Sequence, residues 1–195
     1  MIMNYRGYNI RYQPGIDPIT TIILINVIIY LFTSFSDDLY LRMGLIPAEF
    51  GSQPWTLVTS MFVHAGLWHL FANMLALFFL GRYLHRNLGD GLFLLVYFGG
   101  GILGSLFYLL LGAEFSIAVG ASGAIFAVGG TLALLQPHLK VIIFPIFIPI
   151  SLWIAVFGGF LLLSFLPNVA WEAHLGGLLF GIGVSYYLKR VRRLY

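Results

Sequence analysis

Read for hydrophobic and polar positions, the chain breaks into apolar runs separated by short polar or charged pieces. The runs cover residues 19–35, 67–84, 92–111, 122–135, 150–166 and 171–188. Each is apolar all round, the pattern of a helix whose surroundings are lipid or protein and not water. A hydrocarbon core of about 30 Å takes roughly 20 helical residues to cross. The pattern predicts an all-α, polytopic membrane protein: a bundle of six transmembrane helices forming a single domain over 1–195. Residues 1–18 read as a polar lead-in with Pro14, Gly15 and Pro18, and the first run as a retained span, since no small-residue cleavage site follows it.

The connections differ in kind. Residues 36–66 form a long first loop that mixes Asp37, Asp38 and Glu49 with Leu45, Phe50, Trp55, Val58 and Phe62. It is too apolar for a free loop and too interrupted for a span, so it is expected to lie partly embedded in the interface. Residues 81–91 read as a charged turn, and 136–149, with Pro137, Lys140, Pro145 and Pro149, as an irregular, partly buried connection.

Composition agrees with this reading. Of 195 residues, 60% are hydrophobic and 9% charged, and the mean hydropathy is +0.95. The pI near 9.3 suggests nucleic acid until the charges are placed. With six spans and the termini inside, the inner segments collect Arg6, Arg11, Arg82, Arg86, Lys140, Lys189, Arg190, Arg192 and Arg193, and the outer ones only Arg42. That asymmetry is the positive-inside rule and not a nucleic-acid footprint. Trp68, Trp171, Tyr186 and Tyr187 fall at span ends, as an aromatic belt requires. The expectation is a multi-pass protein of the cell (plasma) membrane with cytoplasmic termini, in contact with membrane lipids and not with nucleic acid.

The polar residues inside the spans carry the chemistry, because lipid makes them costly unless paired or hydrated. Gly120-Ala121-Ser122-Gly123 opens the fourth run with a serine flanked by small residues. Such a turn presents a nucleophilic hydroxyl next to backbone N–H groups, and the same residue types also serve as plain helix-packing residues. In the expected topology spans two, four and six run in one direction, so His69 and Asn73, Ser122, and His174 reach one membrane face at similar depth. The fourth run has only 14 residues, about 21 Å of helix, which sinks Ser122 below the outer interface. Residues 112–121 must then enter the membrane as irregular backbone around a hydrated pocket open to the outer side.

Ala173, Gly177, Gly181 and Ser185 form one small-residue stripe in span six, and Gly123, Ala127 and Thr131 another in span four. Stripes of this kind let backbones approach closely, which would bring His174 within reach of Ser122 as general base and acid. Phe126, one turn beyond Ser122, packs either on that imidazole or in the core. His69 and Asn73, spaced i and i+4, either supply donors to an oxyanion beside the Ser122 N–H or bridge helices. Glu172 points away from the site, which leaves a Ser–His dyad. No metal or other cofactor is expected, since the chain has no cysteine and His64, His69 and His174 have no carboxylate at ligand spacing.

Residues 62–74, from Phe62 through His64 and His69 to Asn73 and Met74, with Gly120-Ala121-Ser122-Gly123 and Ala173-His174-Leu175-Gly176-Gly177, resemble the rhomboid intramembrane serine proteases. The resemblance covers nearly the whole chain as the minimal six-span core. It implies Ser122 as nucleophile and His174 as base, with His69, Asn73 and the Ser122 amide as oxyanion hole. It also implies single-span membrane proteins as substrates, cut near the outer face. The family's Trp-Arg pair in the first loop stands here as Trp55-Thr56, and the aromatic after the serine is Phe126 instead of Tyr. Two other readings share these residues: a non-proteolytic rhomboid-like binder of membrane helices, and a small transporter using His69, Asn73 and His174. Span five, with Gly158 and Gly159, is a candidate for the element that opens to substrate.

Overall fold

A computed structural model describes residues 17–142 and 147–192. The expectations placed on the N-terminal lead-in with Arg6 and Arg11, on Pro145 and on Arg193 lie outside the described residues. The chain is helical, in agreement with the hydropathy pattern. Helix α1 (Pro18–Thr33) opens on an Asp17 cap whose carboxylate accepts from the Thr20 N–H, with Pro18 at the first turn, where its missing N–H costs nothing. The first loop folds into α2 (Asp37–Met43), a single 3₁₀ turn (Pro47–Glu49), α3 (Thr56–Thr59) and a second 3₁₀ turn (Ser60–Phe62).

The second apolar run is longer than expected. It continues through α4 (Leu67–Ala76), a π turn (Leu77–Gly81) and α5 (Arg82–Leu88) as one helix, Leu67–Leu88. Charged residues within 81–91 therefore extend a helix; the chain turns at Gly89, whose positive φ of 79° breaks it. Next come α6 (Asp90–Leu111), α7 (Ser122–Leu135), α8 (Leu152–Ser164) and α9 (Trp171–Arg192). The connection 136–149 is not wholly irregular. It holds a two-stranded antiparallel hairpin, β1 (Lys140–Ile142) and β2 (Pro149–Ser151), with Lys140 opposite Ser151 and Ile142 opposite Pro149. Exposure alternates along β1, with Lys140 and Ile142 outward and Val141 inward, the period of a strand, and Pro137 and Pro149 deny the segment a helix.

Among the described residues two helices, Leu67–Leu88 and Asp90–Leu111, are long and apolar enough to cross a membrane. Helices α1, α7 and α8 are apolar but shorter. The outer surface is strongly apolar: Leu24, Ile28, Phe32, Trp68, Phe79, Leu110, Trp153 and Leu162 are all exposed, far more than a soluble monomer displays in contiguous patches.

The centre is the packing of α6, α7 and α9. A methyl group at Gly177 would overlap the Gly123 carbonyl oxygen, and one at Gly181 the Ala127 carbonyl oxygen. On the other side of α9, a methyl at Gly104 would sit 2.6 Å from the Ala173 oxygen. The two small-residue stripes thus face each other with backbones in contact. Hydrogen bonds tie them further along: Thr131 Oγ1 donates to the Gly181 carbonyl at 3.2 Å, and Ser185 Oγ donates to the Thr131 carbonyl at 3.0 Å. Such bonds replace water for hydroxyls that are fully buried.

Gly177→Val should drive α7 and α9 apart. We expect a loss of about 1–3 kcal/mol, read as a lowered unfolding midpoint in detergent, whereas Gly183→Ala, where nothing beyond the local helix backbone lies within 4 Å, should not lower it.

Candidate active site

The close crossing of α7 and α9 decides what happens at its open end. Ser122 is the first residue of α7 and His174 lies one turn into α9. Their side chains meet, His174 Nε2 lying 2.7 Å from Ser122 Oγ. His174 is 6% exposed, and its other ring nitrogen, Nδ1, has no hydrogen-bond partner. Phe126 lies over the imidazole with ring centroids 4.6 Å apart at 33° and also packs against the main core, so both readings of Phe126 describe the same side chain. Phe126 in turn meets Phe160 of α8 edge to face. The imidazole thus contacts a hydroxyl and an aromatic face, and no carboxylate bonds to it among the described residues.

The segment before Ser122 is irregular, as its position requires, and its polar groups are not left open. Leu45 and Ala118 exchange both backbone hydrogen bonds, Ala48 N–H donates to the Glu114 carbonyl, and Gly120 N–H donates to the Ser60 carbonyl at 2.9 Å. The first loop therefore serves as the hydrogen-bonding partner of the 112–121 backbone. That loop is itself anchored. Trp55 Nε1 donates to the Arg42 carbonyl and Thr59 Oγ1 to the Met43 carbonyl, each at 2.8 Å. Thr56 is buried and bonds only locally, to the Gln53 carbonyl at 2.7 Å; Trp55 and Thr59 do the docking.

Gly120 is the tightest point. Its φ is +122°, where a side chain is strained, and a methyl there would lie 2.7 Å from His69 Cε1, 2.8 Å from His69 Nε2 and 3.8 Å from Ser122 Oγ. His69 is thereby placed against the turn that carries the serine. Asn73 is buried one turn further along α4, its amide donating to the His69 carbonyl at 2.8 Å. That bond holds the Asn73 side chain along its own helix, and the amide has a second N–H to offer. Gly123, Gly177 and Gly181 act as packing positions, and Gly120 as the shaped turn.

A small open pocket adjoins Ser122, lined by Ser60, Met61, Ser105, Gly120 and Ala173. Ser122 heads a helix, where the first N–H groups have no intrahelical acceptor. A hydroxyl, an imidazole and backbone donors beside a pocket are groups that acyl transfer can use.

Sequence comparison agrees with this arrangement. Residues 51–191 match the family model described as Rhomboid domain. The chain belongs to the rhomboid family. It is 32% identical over 165 residues to "Rhomboid protein 1, mitochondrial" of Saccharomyces cerevisiae, covering 75% of this chain and 45% of that protein. It is 34% identical over 151 residues to "Putative rhomboid protease YdcA" of Bacillus subtilis, covering 71% and 70%. It is also 32% identical over 127 residues to "Inactive RHOMBOID-like protein 8" of Arabidopsis thaliana, covering 64% and 35%. Against the yeast protein this chain spans less than half the length. Rhomboids are membrane proteins, and the relatives include named proteases as well as a named inactive member.

This rhomboid's site also uses residues the sequence reading left aside. Ser60 supplies the carbonyl that fixes Gly120. His64, weighed only as a metal ligand, is 2% exposed and packs edge-on against the His69 ring at 5.0 Å. Its spacing from His69 was the available signal; its burial was not visible without the loop's path.

Gly120→Ala should move His69 and distort the turn. We expect a stability loss of at least about 1 kcal/mol and markedly slower reaction of Ser122 with a fluorophosphonate, compared with Gly51→Ala, where no atom lies within 4 Å.

Proposed function

We propose that this rhomboid is an intramembrane serine endopeptidase that cuts single-span membrane proteins near the outer face by way of an acyl-enzyme. The observation that carries the reading is the 2.7 Å contact between His174 Nε2 and Ser122 Oγ. His174 takes the Ser122 proton as the hydroxyl attacks the scissile carbonyl, then returns it to the leaving amine; water repeats the sequence to release the acyl group. The Ser122 N–H, His69 and Asn73 form the oxyanion hole, His69 by its place against Gly120 and Asn73 through its free N–H. Six spans, cytoplasmic termini and a site open to the extracytoplasmic side complete the proposal. The distribution of basic residues and the shortness of α7, about 21 Å by its 14 residues, support them.

A non-proteolytic binder of membrane helices uses the same fold, and a relative bears an inactive name. This chain differs from what that reading needs, because serine and histidine are both present and in contact. A transporter would give no role to that contact.

Ser122→Ala and His174→Ala should each abolish cleavage of a reconstituted single-span substrate while leaving the unfolding midpoint close to that of the parent. Cleavage at the parental rate by either variant would remove the dyad. Wild-type protein should be labelled at Ser122 by a fluorophosphonate, and solute flux without labelling would favour the transporter. Asn73→Ala should lower the rate by at most about 10²–10³, the scale of one oxyanion donor; an unchanged rate takes Asn73 out of the hole.

A further inference from the structure

The small pocket beside Ser122 has walls with almost no side chain. Apart from Met61 and Val119, every residue that lines it is glycine, alanine or serine. Val119 is engaged elsewhere: its Cγ1 stands 3.1 Å from where a methyl at Gly44 would be, at the end of α2. Met61 is the long, flexible side chain of the wall. It is 2% exposed, and its thioether lies on the bare backbone of Gly101 in α6. A methyl at Gly101 would fall 2.0 Å from Met61 Cε and 2.7 Å from Met61 Sδ. The Ala124 methyl of α7 stands 3.3 Å from the same point. Gly101, Ala124 and Met61 all line the pocket, so the tip of Met61 lies at the seam where α6 and α7 wall it.

The root of this side chain is fixed and its tip is soft. Met61 sits in the 3₁₀ turn Ser60–Phe62, whose Ser60 carbonyl accepts the Gly120 N–H at 2.9 Å. Its backbone is thereby held to the turn that carries Ser122. An unbranched thioether with several rotatable bonds fits irregular gaps and yields at small cost. The free space lies on one side of it. Gly101 and Ala124 close the seam behind the tip, and the opening beside Ser122 lies in front. Shortening Met61 therefore deepens the pocket, whereas a methyl on Gly101 both fills it and pushes the tip outward into it. An apolar pocket discriminates a single methylene by roughly 10- to 200-fold, and loss of a whole thioether arm is large on that scale.

We propose that Met61 is the specificity-determining residue of this pocket. It sets how long a side chain is accepted on the residue whose carbonyl Ser122 attacks. With Met61 in place the wall admits a short side chain and turns away a long, unbranched one. The assignment rests on the peptidase reading above, to which it adds the residue that selects substrate at the bond to be cut. Met61 has no part in the proton transfer, so replacing it changes the choice between substrates and not the chemistry.

Two α-aminoalkyl diphenyl phosphonates test this on the full chain in detergent, one with the methyl side chain of alanine and one with the butyl side chain of norleucine. In each, Ser122 Oγ bonds to phosphorus and phenol leaves with the hydroxyl proton, and the side chain stands where that of the acyl-side residue would. Rates of inactivation are read by protein mass and by loss of fluorophosphonate labelling. The parent should react faster with the methyl compound by about tenfold or more. Met61→Ala should lower that ratio by about tenfold, through a gain in rate with the butyl compound. Gly101→Ala should raise the ratio, and Met61→Leu, of similar volume, should keep it. An unshifted ratio in Met61→Ala, with both rates falling together, would mean that Met61 only packs, and would overturn the proposal. Should Met61→Ala fail to fold, Gly101→Ala decides by itself, and an unshifted ratio there is equally fatal. A parent that no fluorophosphonate labels refutes the peptidase reading and this assignment with it, whereas labelling with unshifted ratios refutes this assignment alone.

Discussion

The backbone contact between α7 and α9 is the constraint on which the site depends. Neither helix bears more than one half of the Ser122–His174 pair, and neither side chain is long. The pair meets because the glycines and alanines beyond it allow the two backbones to touch, with no room for a methyl at Gly177 or Gly181. Dispersion and interhelical hydrogen bonds supply the association energy, since burying apolar surface gains little when the surroundings are lipid. The Thr131 and Ser185 hydroxyls contribute there while meeting their own need for partners. Close packing and the Ser122–His174 contact are thus one feature, read at two points along the same crossing.

A second constraint acts on the backbone that leads to the serine. Starting α7 at Ser122 leaves residues 112–121 without helical hydrogen bonds, and backbone groups held away from water need other partners. The first loop takes that role, with Leu45, Ala48 and Ser60 as partners. Its own attachment through Trp55 and Thr59 to the backbone following α2 is then part of the support of the site. A loop that is half apolar and half polar is what this task demands: one side meets the apolar surroundings and the other pairs with a strand-like segment.

The helices were legible because an apolar run with no polar face has few alternatives. The start and end of α7, Ser122 and Leu135, follow from the small-residue turn before it and Gln136-Pro137 after it. The proximity of Ser122 and His174 was legible too, from stripes of period four on two runs that point the same way. Three features were not. The continuation of the second helix through Arg82 and Arg86 escaped because charged residues end an apolar run without ending a helix; Arg82 instead covers the Phe78 ring at 4.3 Å. The hairpin escaped because its pairing is a contact between residues about ten apart, flanked by prolines that also suit irregular chain. That Phe126 both meets His174 and packs in the core needed the side-chain positions themselves.

The lack of an acid beside His174 has a physical consequence for how the imidazole is held. In a triad, a carboxylate on the far ring nitrogen fixes both tautomer and orientation. Here Nδ1 is buried and unpartnered, so orientation must come from packing: Phe126 on the face, Phe160 behind it, and the α7–α9 crossing beneath. A stacked aromatic is worth about 0.5–1.5 kcal/mol beyond area, less than a charged hydrogen bond, and it restrains the ring's plane without selecting a tautomer. In the proposed reaction the Ser122 hydroxyl is the group that selects it, because Nε2 must then be unprotonated to accept that proton. This places α8 in the site's support through Phe160, although no α8 residue lines the pocket beside Ser122. Any displacement of α8 would loosen the brace on Phe126, and with it the His174 ring that touches Ser122.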